Sequence, residues 1–158
     1  MRDESVGEVF PPRVEELVAL HGELVSFGRE SDAVGEGWLA KAESRLGLVF
    51  SPSYRWFLNK YKGGEICGEE IFSVYGIDFD EVSGGDVVHQ HLLDLERGLT
   101  NDHSLVVSRT DLGEVFFFDY DGCVGSEVPV RLLLPSGENV AYASDFFEFL
   151  VKRIASYL

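Results

Sequence analysis

Residues 51–65, SPSYRWFLNKYKGGE, contain the start, the buried face and the end of one helix. Ser51 is suited to the N-cap, where its hydroxyl accepts a hydrogen bond from a free backbone N–H, and Pro52 fits the first turn. Gly63 and Gly64 are predicted to end the helix, because glycine adopts the left-handed conformation without a Cβ penalty. The side chains at i, i+3, i+4 and i+7 predict a buried stripe: Tyr54, Phe57, Leu58 and Tyr61.

Helical spacing also predicts helices on both sides of this segment. Residues 14–27 carry apolar side chains at helical intervals after Pro12, which suits the first helical position. Residues 38–47 and 83–98 each show a helical stripe that ends in a glycine. Ser144 is placed to cap a closing helix. These helices predict a core that includes Trp38, Tyr54, Phe57, Leu58, Phe147 and Leu150.

Strand patterns occupy the second half of the chain. Residues 70–76, EIFSVYG, read as a strand. Residues 104–108 and 114–120 predict two strands that the turn-forming sequence RTDLG joins. An Asp-Gly pair at residues 121–122 then predicts a reversal before a further strand in residues 128–134.

The order of these elements predicts the fold class. Helices come first, strands with one helical insertion follow, and a helix closes the chain, which is typical of α+β domains. We predict a single domain over residues 1–158, with a mostly antiparallel sheet packed against N-terminal and C-terminal helices. Residues 1–35 are predicted to form an N-terminal helical extension of that domain.

Charge limits the kinds of partner. The formal net charge is −15, from 28 acidic and 13 basic residues. The acidity is localised, since residues 63–130 contain 15 Asp and Glu against two basic residues, Arg97 and Arg109. Such a surface repels phosphate groups, so binding to nucleic acid or to an anionic membrane is disfavoured. An acidic surface also keeps a protein soluble, but its localisation favours a basic protein partner.

Neither a membrane segment nor a secretion signal is indicated. No apolar run approaches the roughly 20 residues that a membrane-spanning helix needs. The N-terminal residues lack the basic-then-apolar order of a signal peptide, so a soluble cytoplasmic protein is expected. Cys67 and Cys123 lie far apart without a CxxC partner, which indicates neither a disulfide framework nor a zinc site.

The residues that carry chemistry in other proteins do not form an active site here. His89 and His91 lie two residues apart in a predicted helix, where their side chains diverge instead of sharing a metal. The acids of residues 78–81 read as a solvated loop, and residues 118–127 lack the ligand spacing of a calcium loop. No nucleophile, base and orienting group can be assembled. We expect no enzymatic activity, no metal and no cofactor.

The order of these segments resembles the SUKH superfamily, the domain of SMI/KNR-like cell-wall regulators and of many bacterial toxin-immunity proteins. The resemblance extends from about residue 36 to the end of the chain and is specific in its first third. Two positions depart from it, since Lys62 stands where many members have Asn, and Val49-Phe50 replaces a commoner Leu. The matching residues are Trp38, Glu43, Leu46, Gly47, Phe50, Pro52, Tyr54, Phe57, Leu58, Gly63 and Gly64.

The resemblance implies two competing functions. In the first, the chain is a bacterial immunity protein for contact-dependent competition, which binds and neutralises a polymorphic toxin, often a nuclease. In the second, it is a non-catalytic regulatory protein-interaction module of the SMI/KNR-like type. Either would act as a monomer or a weak homodimer. The resemblance also implies that the aromatic helix is structural and that the Gly63-Gly64 turn leads directly into the first strand.

The implied toxin role and the charge pattern together predict an acidic partner-binding face. A nuclease groove is basic, and an acidic surface can occupy it in place of the phosphate backbone. We expect the acids that follow the Gly-Gly turn and those at the hairpin ends to share one rim of the sheet. The predicted partner-binding residues are Glu69, Glu70, Asp78, Asp80, Glu81, Asp86, Asp111, Glu114, Asp119 and Asp121.

Overall fold

The computed structural model describes the backbone of residues 4–158 and the side chains from residue 11 onward. The helices in this part of the chain are α1 (Glu4–Leu20), α2 (Glu36–Leu46), α3 (Pro52–Tyr61), α4 (Val87–Glu96) and α5 (Phe146–Ala155). The strands are β1 (Val25–Phe27), β2 (Gly64–Ile66), β3 (Glu69–Ile71), β4 (Ser104–Arg109), β5 (Val115–Asp119), β6 (Val130–Leu133) and β7 (Asn139–Ala143). Within these described residues, no helix has the length and apolar character that crossing a membrane requires.

The strands form one antiparallel sheet in which neighbours in sequence are neighbours in space, from β1 at one edge to β7 at the other. The predicted α+β class, with a mostly antiparallel sheet and packed helices, is therefore confirmed. The predicted strand over residues 70–76 is shorter and starts earlier, since β3 covers only Glu69–Ile71. Strand β7 had no prediction.

Helices cover the two faces of the sheet. Phe116 and Phe118 contact Phe149 and Phe146, whose rings lie 5.3 and 5.6 Å away, so α5 packs on their face. Arg109 lies opposite Val115 in the ladder and therefore on the other face. Its guanidinium binds Asp94 of α4, so α4 covers that second face. The three consecutive phenylalanines of β5 are all buried for this reason.

Helix α3 forms as the sequence predicts. The Ser51 side chain accepts a hydrogen bond from the backbone N–H of Tyr54 at 3.3 Å, and Pro52 opens the helix. Its stripe of Tyr54, Phe57, Leu58 and Tyr61 is buried. The Tyr54 ring lies 5.0 Å from Phe146, which joins this helix to α5.

The chain leaves α3 differently from the prediction. Lys62, rather than a glycine, takes the positive φ of 67° with a ψ of −48°. The Gly63 N–H donates to the Tyr61 carbonyl at 2.7 Å, which closes a γ-turn around Lys62. Such a turn is strained for a residue with a side chain. Gly63 and Gly64 are instead needed for close approach, since a Cβ on Gly63 would lie 2.5 Å from Ser73 Oγ.

The N-terminal prediction is wrong in two respects. Helix α1 begins at Glu4 and contains Pro11 and Pro12, so Pro12 is not its first residue. The helix ends at Leu20, and Val25 lies in strand β1 instead of on a helical stripe. The apolar residues after Gly22 keep helical spacing in the sequence, but this part of the chain is not helical. Pairing of Val25–Phe27 with β2 stabilises an extended conformation instead. The first 35 residues thus contribute an edge strand to the sheet as well as a helix.

The closing helix was predicted with the wrong cap and with one wrong core residue. Asp145, not Ser144, is its N-cap, and the Asp145 carboxylate accepts from the Glu148 N–H at 2.9 Å. The buried residues of α5 are Phe146, Phe149, Leu150, Arg153 and Ile154. Phe147 is only partly buried, so its predicted place in the core is wrong. Leu150 is buried as predicted.

Candidate partner-binding face

Strand β5 separates the acids that were predicted to lie on one rim. Asp111 and Glu114 precede this strand, whereas Asp119 ends it and Asp121 follows. The five residues of β5 place those ends roughly 13 Å apart, at about 3.3 Å per residue. Glu69 lies at the Asp111 end, because β3 and β4 are antiparallel. The prediction of a single rim is therefore wrong.

Two of the predicted contact residues have structural roles. Asp86 is fully buried as the N-cap of α4, where its carboxylate accepts from the N–H groups of Val88 and His89. Glu69 binds the guanidinium of Arg153 and the hydroxyl of Tyr157, which fastens the C-terminal helix to β3. A buried cap and a paired, mostly buried carboxylate are not available to a partner.

The exposed acids that do lie together belong to the segment of residues 72–86, which we call the 72–86 loop. Asp78, Asp80 and Glu81 are all exposed at its outer turn. The Asp78 side chain accepts from the Asp80 N–H at 2.9 Å, and its carbonyl accepts from the Glu81 N–H at 2.9 Å. These bonds fix the turn, so its carboxylates are presented on an ordered backbone.

A groove of about 460 Å³ runs between this turn and α2. The Trp38 and Phe79 rings meet edge to face, with centroids 5.8 Å apart. Trp38 is only partly buried, so its predicted place in the core is wrong and it lines the groove instead. No role was predicted for Phe79. The only local feature in the sequence that sets it apart is that acidic residues flank it on both sides. We call this feature the α2 groove.

Basic side chains of α2 already contact the acids and the ring in the α2 groove. Arg45 forms an ion pair with Asp80 at 3.0 Å, and Asp80 is nevertheless mostly exposed. The Lys41 ammonium lies 4.6 Å from the centre of the Trp38 ring. Exposed pairs of this kind contribute little to stability. The groove can therefore exchange its internal cations for those of a partner at small cost.

The position of α2 depends on Glu43. Its carboxylate accepts from the Phe50 N–H at 2.7 Å and pairs with Arg55 at 2.6 Å. The Arg55 guanidinium also binds Glu36 at the start of α2. Gly47 ends α2 in the left-handed conformation, with φ 69°. This network holds α2 against α3, and so fixes Trp38 at the groove.

The two histidines of α4 lie in different environments. His91 is buried while His89 is half-buried, as their spacing on a helix requires. Across the described residues, no group of three or more His, Cys, Asp or Glu side chains is arranged to hold a metal. Cys67 and Cys123 are both exposed and free.

Burial of His91 makes stability depend on pH. Its Nδ1 is buried without a hydrogen-bond partner among the described residues, and burial lowers the pKa of His91 although Asp94 and Asp102 oppose this. The unfolded state then binds a proton more readily than the folded state. We expect the contribution of His91 to the free energy of unfolding to be constant above pH about 6.5 and to fall as pH decreases below it.

Urea titrations at several pH values measure this effect. In His91→Leu the decrease between pH about 6.5 and 5 should be smaller, because the buried titrating group is gone. His89→Gln, on the same helix, is the matched control and should keep the wild-type decrease. An unchanged slope in His91→Leu would contradict the assignment.

The fold and the groove define a small α+β domain with exposed carboxylates and half-buried aromatic rings on one ordered surface. A sequence model of the SMI1-KNR4 cell-wall family, SUKH_6, matches residues 36–150, from the start of α2 into α5. The chain therefore belongs to this family of the SUKH superfamily. No curated protein matches the chain.

Proposed function

We propose that the chain is an immunity protein that acts in the cytoplasm by binding a basic polymorphic toxin domain through the α2 groove and the turn of the 72–86 loop. The observation that carries this proposal is the combination of a half-buried aromatic pair, Trp38 and Phe79, with exposed carboxylates on one fixed turn. SUKH domains are often immunity proteins, which supports the same assignment.

The two components of this surface have different physical effects. Trp is among the residues that most often dominate binding energy, since it buries a large area against a pocket. Carboxylates at an exposed rim act mainly on the rate of association with a basic partner. A net charge of −15 extends that attraction over the whole molecule. The surface is thus suited to fast capture of a basic protein.

Charge reversal at the turn tests the electrostatic component. We expect Asp80→Lys with Glu81→Lys to slow association about tenfold at low salt and to flatten its salt dependence. The measurement is the association rate, at low and high salt, with the toxin domain encoded beside the gene. Asp111→Lys with Glu138→Lys makes the same charge change in turns at the other end of the sheet and is the matched control. Equal rates for the two double variants would remove the turn from the interface.

Trp38→Ala tests the aromatic component. The variant should have a faster dissociation rate and a nearly unchanged association rate. The reason is that the contacts of a buried aromatic residue form only once the complex has docked. Co-expression with the toxin provides the biological readout, since an immunity protein must restore growth. If no neighbouring toxin is bound or neutralised, the immunity function is wrong and the regulatory interaction module is the better assignment.

A further inference from the structure

A second cleft, of about 350 Å³, is lined by Ser73, Tyr75 and Ile77 of the 72–86 loop. Gly28, Gly63 and Gly64 form part of its wall. A Cβ on any of the three would come within 2.6 Å of a neighbouring atom, so these walls cannot carry side chains. Lys62 lines the same cleft, next to these glycines. We call this feature the glycine cleft.

A serine hydroxyl without a partner among the described residues lines the glycine cleft. Ser73 is 4% exposed and lines the cleft. Its Oγ points towards the Gly63 wall, because a Cβ placed on Gly63 would lie 2.5 Å from it. The hydroxyl makes no hydrogen bond to any other residue that the structure describes. The oxygen itself is not fully buried, since among the described residues only His91 Nδ1 is a buried side-chain polar atom without a partner. This hydroxyl is therefore open to a ligand in the cleft.

The carboxylate of the glycine cleft, Glu70, has no cationic partner among the described residues. The Glu70 carboxylate lines the cleft and accepts from the Tyr75 hydroxyl, which in turn accepts from the Gly85 N–H at 2.9 Å. Glu65 lies directly opposite Glu70 in the β2–β3 ladder. Like charges in that position destabilise a sheet. Among the described residues neither carboxylate forms an ion pair, and Lys62 does not approach Glu70 within 4.0 Å.

We propose that the glycine cleft binds the primary ammonium group of one lysine side chain from a partner protein. A cation placed at Glu70 relieves its repulsion with Glu65. An ammonium is a compact charge with three donors, which can be shared between the Glu70 carboxylate and the Ser73 hydroxyl. A guanidinium prefers a carboxylate with two free oxygens, whereas one oxygen of Glu70 already accepts from Tyr75.

The proposal rests on the proposed function for the source of the lysine, since a basic toxin would supply it. The 72–86 loop then contributes to both contacts with the partner. The α2 groove receives an aromatic or basic contact, and the glycine cleft holds a single ammonium. The ammonium of Lys62, which also lines the cleft, repels a bound cation. Removing the Lys62 charge should therefore strengthen binding, whereas removing the Glu70 charge should weaken it.

Titration with a small probe tests the cleft without any toxin. The probe is Nα-acetyl-lysine-methylamide, followed by the ¹H–¹⁵N shifts of Gly63, Gly64, Ser73 and Gly85. We expect saturable shifts at these amides. The norleucine analogue, which keeps the chain and lacks the charge, should give none, and the arginine analogue should bind more weakly. Binding of norleucine or arginine as tight as that of lysine would overturn the proposal.

Three variants test the sign of the charge. Glu70→Gln should weaken binding of the probe by roughly tenfold or more, because a charged hydrogen bond is lost. Lys62→Gln should tighten it by up to about fivefold, because a like charge is removed. Glu69→Gln is the control, since Glu69 pairs with Arg153 and does not line the cleft. Weaker binding of the lysine probe in Lys62→Gln would show that the Lys62 charge does not repel the probe and would overturn the proposal.

The spectra themselves report whether each variant is folded, and Ser73→Ala provides a further test if Glu70→Gln disturbs Tyr75. Ser73→Ala should weaken binding of the lysine probe while amides outside the cleft keep their shifts. A failure of the probe to bind overturns the ammonium site alone. The toxin-binding rates and the growth readout are measured separately, so they test the proposed function independently of the ammonium site.

Discussion

Tyr54→Ala is expected to lower the free energy of unfolding by about 3–5 kcal/mol, the range for removing a buried aromatic ring. Tyr54 has no exposed surface, and its ring lies 5.0 Å from both Phe118 and Phe146. It therefore joins α3 to the sheet and to α5 at once. Removing the ring would remove contacts with three elements and leave a cavity at their junction. A backbone shift of one element cannot fill that cavity.

The hydroxyl of Tyr54 contributes separately. It donates to the Phe72 carbonyl at 2.6 Å, and burial raises the pKa of Tyr54 well above its usual value, so the proton stays in place. Tyr54→Phe keeps the ring and should cost about 1–3 kcal/mol, through a buried carbonyl left without its donor. Urea unfolding of both variants separates ring from hydroxyl. Equal losses in the two variants would contradict the view that packing of the ring dominates.

The parts of the fold that the sequence predicts are those that local chemistry determines. Helix α3 has a cap, a first-turn proline and an apolar stripe with helical spacing. Each of these features can be recognised in the local sequence without knowing the tertiary structure. The β4–β5 hairpin is similar, because its two apolar strands flank a turn-forming sequence. In both cases the residues that decide the structure are neighbours in the chain.

Tertiary pairing explains the elements that were missed. Strand β1 is three residues long and is extended because β2 lies beside it. The phase of α5 is ambiguous in sequence, because Phe146, Phe147 and Phe149 are all aromatic, and Ser144 and Asp145 are both good caps. Only the position of the sheet determines which phenylalanines become buried.

The candidate site required the strand order. Counting charges correctly identified residues 63–130 as acidic, but a count cannot tell that β5 holds Asp111 and Asp121 at opposite ends. The burial of Asp86 also could not be predicted, because an aspartate that caps a helix and an aspartate on the surface look the same in the sequence. The groove forms from Trp38 and Phe79, 41 positions apart, which only the folded chain brings together.

Gly64 is the position at which one added methyl group should disturb the sheet most. Its φ of 142° disfavours other residues, and a Cβ there would lie 2.3 Å from the Ser26 carbonyl oxygen and 2.6 Å from the Phe27 Cα. Both atoms belong to the backbone of β1, which pairs with β2 and cannot move aside as a flexible side chain would.

Gly64→Ala should therefore lower the free energy of unfolding by about 2–6 kcal/mol, from overpacking and backbone strain together. Gly37→Ala is the matched control, because Gly37 lies in α2 with no atom within 4 Å of its added Cβ. That variant should raise the free energy of unfolding by about 0.5–1 kcal/mol, since alanine loses less backbone entropy in a helix. Hydrogen exchange locates the damage: in Gly64→Ala, protection should be lost first at the Cys67 amide, which donates to Leu24 of the β1 side at 2.6 Å. A loss below about 1 kcal/mol, or protection that is unchanged at Cys67, would mean that β1 does not pack against Gly64 as closely as the structure shows.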